Sequence, residues 1–474
     1  MNLARTLCSA GVLLLFLLCV GCGDTYRPVA TPIIPNPPNP GFSKAAFVIS
    51  NNGPQNPGSS TQIDVSGDTA LGVLKTGVGP VHAALTPDST KMYVANEFED
   101  TISEFPPGTP NATDLNPVVT IGLPSGSHPV FVGTAQNGTM FSANFLSGTV
   151  TAISTSQNAV TQVISLAQTG PSPDIQPVAL AETPDGSKLY VANQGNRTST
   201  AGSVSSISPA DNSINAAVMN SWVTPVWVVA RSDSARAYIL DAGAGMVFAI
   251  NTSSDMVLPN PVNVGVGANF MFYDQQRSRL YVTNPASGSV SIIDISGDPP
   301  ALLATDCVVS GSVPPCPTSF APIYAAVLPD GSSAYVASYQ ISATCSGVAS
   351  PCITSQVSVI NSNSNLVSAV IPLGTVSIDM TDITGCGAPG PVGSSPPARF
   401  RLSVAASGDS SRVYVANCDA GNTTIISAVP TSSDLYPANT VITSLQSPVS
   451  AFPPGPSTPA QPPPQAPVFV LATP

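Results

Sequence analysis

One four-residue phrase recurs along the chain: an aromatic residue, two small or apolar residues, then Asn. It reads FVIS from Phe47, YVAN from Tyr93, FSAN from Phe141 and YVAN from Tyr190. It returns as YILD from Tyr238, YVTN from Tyr281, YVAS from Tyr335 and YVAN from Tyr414. The aromatic positions are 46, 48, 49, 48, 43, 54 and 79 residues apart. A regular period of this size means one supersecondary unit used many times, each burying its face against the next.

The neighbours of the phrase recur too. About ten residues before it stands a short apolar run that usually opens with proline, as in PVHAAL from Pro80, PVFVGT from Pro129, PVALAE from Pro177 and PVWVVA from Pro225. Weaker versions are ANFMFY from Ala268, PIYAAV from Pro322 and ARFRLSV from Ala398. A turn such as PDGSK separates the two runs; Pro presets φ and Gly relieves strain there. A third run (TVTAI, SVSSI, SVSIID) and a fourth (PVVTI, VTQVI, LVSAVI) follow. Four short strands per ~45 residues, here called A to D from the proline strand onward, predict an all-β fold of propeller blades. An array of β-sandwiches is the competing reading, but it has no need of so constant a phrase.

This pattern resembles the YVTN β-propeller family, whose name is spelled by Tyr281-Val282-Thr283-Asn284. The resemblance spans roughly residues 45 to 474 and implies four-stranded antiparallel blades. It says little of function, because propellers serve binding proteins and enzymes alike. The first unit lacks an A strand and enters at Phe47 in B, whereas the sequence ends in PVFVLATP, which reads like PVHAALTP. The last strand is therefore expected to complete the first blade and close the ring, removing the open sheet edges. Eight A and eight B strands predict eight blades; the family is more often seven-bladed.

Residues 1–22 are read as an export signal: Arg5 precedes the apolar run LLLFLLCVGC, too short to span a bilayer, for which ~20 apolar residues are needed. Its end resembles a bacterial lipoprotein signal, which implies lipidation of Cys22, although Cys19 stands where that pattern usually has Leu. Gly23 after the cysteine favours the outer membrane by the same resemblance. Residues 23–43 are Pro-rich and are expected to form an extended tether of ~50 Å. Residues 44–474 are expected to form the propeller. The chain is thus expected in the bacterial cell envelope, attached to the membrane through its lipid, as a monomer.

Only 8% of the residues are charged and the net charge is −12. That argues against nucleic acid as a partner. Hydrophobic residues make up 43%, enough for a large core. Strand order puts the A–B and C–D turns on one face, and the B–C and D–A loops on the other. The long insertions, SYQISATCSGVASPC from Ser338 and TDITGCGAPGPVGSSPP from Thr381, both fall on the second face. Elaborated loops on a rigid scaffold are where binding usually lives, so that face is expected to meet a protein or glycan.

Six cysteines lie outside the signal, and an even number in an exported chain predicts disulfides. Loop geography pairs Cys307 with Cys316, Cys345 with Cys352, and Cys386 with Cys418. No Cys-x-x-Cys occurs among them, against a metal cluster. Catalytic motifs are absent: there is no Gly-x-Ser-x-Gly elbow, His-Glu-x-x-His or phosphate loop. His82 and His128 are the only histidines. No cofactor is expected, but a divalent cation is conceivable: some propeller enzymes, lactonases among them, hold a metal at the channel with acidic residues. Glu97, Glu99 and Asp100 in one B–C loop, Asp241 and Asp419 beside the B-strand Asn position, and His82 in an A strand are the residues that could line such a binding face. Acidic loop residues also serve as caps and Asx turns.

Overall fold

The structure, a computed structural model, describes residues 44–107, 119–133, 137–167, 174–196, 201–218, 220–378, 386, 401–429, 436–448 and 465–473. The signal with Cys22, the Pro-rich tether and most of the insertion from Thr381 lie outside the described residues.

Eight antiparallel sheets form eight blades, each running A–B–C–D. The A strands pack one beside the next in a closed circle, so they are innermost. The first blade is completed by strand Ala466–Ala472, which pairs Val470 with Val48 in Ala45–Asn51. Thr473 and Ala45 seal the seam: each backbone N–H donates to the other residue, to the Ala45 carbonyl at 2.9 Å and to the Thr473 hydroxyl at 3.0 Å. In the fifth blade the D strand is broken into Met256–Val257 and Val262–Asn263. Pro259 and Pro261 lie in the break, where neither could donate to the ladder.

The B strands form the densest layer. Met92–Asn96 and Leu189–Asn193 are buried at every residue, and the other B strands throughout their four-residue phrase, because neighbouring blades cover both faces. The outermost D strands are half exposed, as in Ala159–Ser165. Burial on both faces explains the unbroken apolar run of the B phrase.

The Asn that ends the phrase is a clamp. Asn96 donates to the hydroxyls of Thr101 and Ser103 and accepts the Gly77 N–H; Asn144 donates to Thr149 and Thr151, and Asn193 to Ser203 and Ser205. The amide spans the B–C turn and satisfies buried groups that water cannot reach. Where the phrase ends in Ser, at Ser50 and Ser338, the shorter side chain finds no partner.

In four blades the tyrosine that opens the phrase is a latch to the next blade. Tyr93 donates to Asn158 at 2.7 Å, Tyr190 to Asp255 at 2.6 Å, Tyr335 to Asn439 at 2.6 Å and Tyr281 to Ser362 at 3.1 Å. Each acceptor sits in the C–D turn of the following blade. The basic residue two positions earlier reaches the same turn: Lys188 meets Asp255 at 2.5 Å, Arg236 meets Asp298, Arg279 meets Asn365, and Arg412 closes the ring on Asp68 at 2.8 Å. Asp68, Asn158, Asp255, Asn365 and Asn439 all have φ between 50° and 61°, a left-handed conformation that Asn and Asp tolerate best among residues with a side chain.

Candidate functional site

Two places could carry function: the loop-rich face and the centre of the ring. The loop-rich face is the more elaborate. The insertion from Ser338, expected as a loop, is strand at its two ends and loop over residues 343 to 351. Ser333–Ser342 and Cys352–Asn361 run on past the usual end of their blade, pairing Ile341 with Ile353, and Leu366–Ser377 follows them out. The seventh blade therefore carries a three-stranded extension. Alternation of apolar and polar residues through Tyr339, Gln340, Ile341 and Ser342 continues the strand period and was the signal for it. Cys345–Cys352 staples its tip, with Cα atoms 6.1 Å apart. Cys307–Cys316 and Cys386–Cys418 are also joined, at Cα separations of 5.2 and 5.7 Å.

Beside the last disulfide, Arg401 is ion-paired with Asp419 and lies over the Tyr339 ring, 5.8 Å from its centroid. Both charged side chains are almost out of solvent, which only a close pair makes tolerable. Arg401 could have been noticed in the sequence, since it stands near the start of an A strand where other blades have proline.

The acidic residues of this face are mostly committed to backbone. Asp241 is fully buried and accepts the N–H groups of Val223, Thr224 and Ala244. Asp100 accepts those of Gly126 at 2.7 Å and His128 at 2.8 Å, and Glu99 that of Val78 at 2.9 Å. Glu97 lies 4.0 Å from the His128 ring nitrogen. Glu97, Glu99, Asp100 and His128 thus share one corner, whereas Asp241 and Asp419 belong to other blades. Among the described residues no three His, Cys, Asp or Glu side chains converge as a metal site.

His82 does not belong to that face. It sits on the innermost strand Pro80–Leu85, buried, stacked on Phe131 at 4.0 Å and against Phe469 at 4.4 Å. Its Nδ1 accepts the Val132 N–H at 3.4 Å. Burial pushes the imidazole down to about 3, so it is neutral at physiological pH. It is one stone in a belt. Trp227 packs on Phe270 at 4.6 Å, Phe270 on Tyr324 at 4.0 Å, and Phe131 meets Trp227 edge-on at 5.7 Å. Each ring is contributed by a different A strand; Ala179 and Ser403 hold the two remaining places.

Six of the eight belt residues stand two positions after a proline. Every A strand that opens with Pro and an apolar residue has a register shift just after them: Pro80/His82, Pro129/Phe131, Pro177/Ala179, Pro225/Trp227, Pro322/Tyr324, and the pairing of Pro467 and Phe469 with Ser50 and Ile49. The A strands of the sixth and eighth blades lack the proline and pair without a shift. A bulge bends the strand and re-aims the next side chain, here the belt residue.

No family model matches the chain, and no curated protein matches it. Among solved structures it is similar to AztD from Citrobacter koseri: TM-score 0.57, 10% identity, 91% of this chain and 98% of that one covered. It is also similar to the dihydro-heme d1 dehydrogenase NirN in complex with DHE, with TM-score 0.56, 13% identity, and 84% and 72% covered. At these identities the likeness is one of fold.

Proposed function

We propose that this protein is a binding or scaffold propeller of the YVTN kind, held at the bacterial cell envelope by a lipid on Cys22, that presents its loop-rich face to a protein or glycan. The observation that carries this reading is how that face is built. Its loops are lengthened and cross-linked, while its carboxylates cap backbone amides or pair with Arg401. Such a surface is rigid and chemically quiet, which suits recognition. A photo-crosslinking residue at Ala349, on the tip of the extension, should capture a partner in intact cells, and one at Ser187, in an A–B turn, should not. Equal capture at both, or none at Ala349, would remove the assignment of the face. Cys22→Ser should move the protein from the membrane to the soluble fraction.

A second reading, a lactonase-like hydrolase with a divalent cation, draws on the grouping of Glu97, Glu99, Asp100 and His128 in one corner. One equivalent of metal retained through dialysis, and lost in Glu97→Gln, would favour it.

A further inference from the structure

Lys91 belongs to the same latch as Tyr93, but the corner they form differs from the others. The Lys91 ammonium reaches the C–D turn of the third blade, donating to the Thr155 carbonyl and, at 3.0 Å, to Asn158 Oδ1. Tyr93 donates to that same oxygen at 2.7 Å. The other half of the amide, Nδ2, donates to Glu104 Oε2 at 3.4 Å. Glu104 stands opposite Tyr93 across the B–C ladder and is 3% exposed. The other seven blades carry no carboxyl at that register. Ser206 stands opposite Tyr190, Ala249 opposite Tyr238 and Ile292 opposite Tyr281, and the rest have Gln, Ala, Val or Ile. Burying a carboxyl costs free energy, and the latch is made elsewhere without one.

We propose that Lys91 and Asn158 become joined by an intramolecular isopeptide bond once the second and third blades dock, with Glu104 as the proton carrier. An amine, a primary amide and a carboxyl meet at one place, and each is positioned for its part. Nζ lies against Oδ1, the atom bonded to the carbon that the amine attacks. The Tyr93 hydroxyl, aimed at Oδ1, stabilises the negative charge that grows there. Glu104 is at Nδ2, the leaving nitrogen. Burial pushes its carboxyl above the usual range, against the opposing pull of Lys91, which suits a group that must take up a proton and give it back. Lys91 passes a proton to Glu104, and the freed lone pair forms the Nζ–Cγ bond. Glu104 then relays protons from Nζ to Nδ2, the Cγ–Nδ2 bond breaks, and the nitrogen leaves as ammonium. Glu104 ends as the carboxylate it began as, charge is conserved, and nothing is oxidised or reduced. The docked blades make the attack intramolecular, and dilution of the ammonium into solvent makes it one-way. The fourth blade supplies the contrast. Lys188 and Tyr190 meet Asp255 in the same arrangement, but Ser206 holds the place of the carboxyl, and the contact stays an ion pair.

Peptide mapping of the full chain, folded and then denatured, is the test. Trypsin should fail to cut after Lys91 and should cut after Lys188. Cleavage after Glu97, Glu99 and Glu104 should leave the peptide that contains Lys91 joined to the one that contains Asn158, at a mass one ammonia below their sum. In Glu104→Gln the joined species should be at least about tenfold scarcer at equal time after folding, because it lacks the proton carrier. Lys91→Arg, which keeps the latch in the manner of Arg279, should give none of it. Free cleavage after Lys91 in the parent overturns the proposal, and so does an undiminished joined species in Glu104→Gln. Should Glu104→Gln fail to fold, Lys91→Arg decides: the joined species in that variant would overturn the assignment, and its loss there alone would uphold it.

Discussion

The Tyr190 hydroxyl donates to the Asp255 carboxylate of the following blade at 2.6 Å, and Lys188 meets the same carboxylate. Burial, and then the bond to Asp255, push the tyrosine above its ordinary range, so it stays a donor at any physiological pH. Blades are thus joined by a polar bond as well as by apolar packing. Tyr190→Phe should cost about 1.5–3 kcal/mol, the range for a hydrogen bond to a charged group. Denaturant unfolding measures it; a change within error would make the latch incidental.

The third blade, like the first, has Phe where the other six have Tyr, and the buried Asn212 Oδ1 of the fourth blade's C–D turn lacks a partner. Restoring the donor with Phe141→Tyr should stabilise the protein by about 1 kcal/mol. An unchanged or lower midpoint would mean that the hydroxyl does not reach.

His82 should make the protein acid-sensitive. Its folded value of about 3 lies below the ordinary 6.5. Below pH 6.5 the unfolded chain takes up a proton that the native ring excludes. The stability this histidine contributes is therefore complete above 6.5 and lost as pH falls toward 3, by up to about 1.4 kcal/mol per pH unit. His82→Phe should flatten stability between pH 6 and 4. Below about pH 4 the turn carboxylates take over in both proteins. Burial raises Asp88 and Asp185, but hydrogen bonds from Thr86 and Thr90, and from Thr183 and Ser187, outweigh it and hold them low. Parallel pH profiles for parent and variant would refute the role of His82.

Ring closure rests on strand Ala466–Ala472. Deleting residues 466 to 473 uncovers Ala45–Asn51 and removes Phe469 from beside His82. The truncated chain should unfold at markedly lower temperature or denaturant and bind an amyloid-type dye at its open edge. Melting at the parent's temperature would show that the seam contributes nothing.

Much of this was legible in the sequence, because a propeller repeats its physics. Period, strand order, the closing strand and the three cysteine pairs followed from the Tyr-Val-x-Asn phrase and its neighbours. What escaped depends on relations between blades. The latch joins residues 65 to 104 apart, such as Tyr190 and Asp255, and only the packing of successive sheets shows that they meet. His82 was read as an A-strand residue that either joined the binding face or was packed toward the channel; it is packed on the innermost strand, and strand alternation alone does not reveal the bulge after Pro80 that aims it. Asp241 and Asp100 were read as a binding surface; local sequence does not show which amides point at a carboxylate.

Strand Ala45–Asn51 lies second in its blade, with a ladder on either side. Any pull arriving through residue 44 runs along that strand's axis. Two ladders, to Pro57–Asp64 and to Ala466–Ala472, then carry the load in shear, with many hydrogen bonds strained together. An edge strand would have peeled away bond by bond. The seam that closes the ring is also the geometry that resists being drawn out of it.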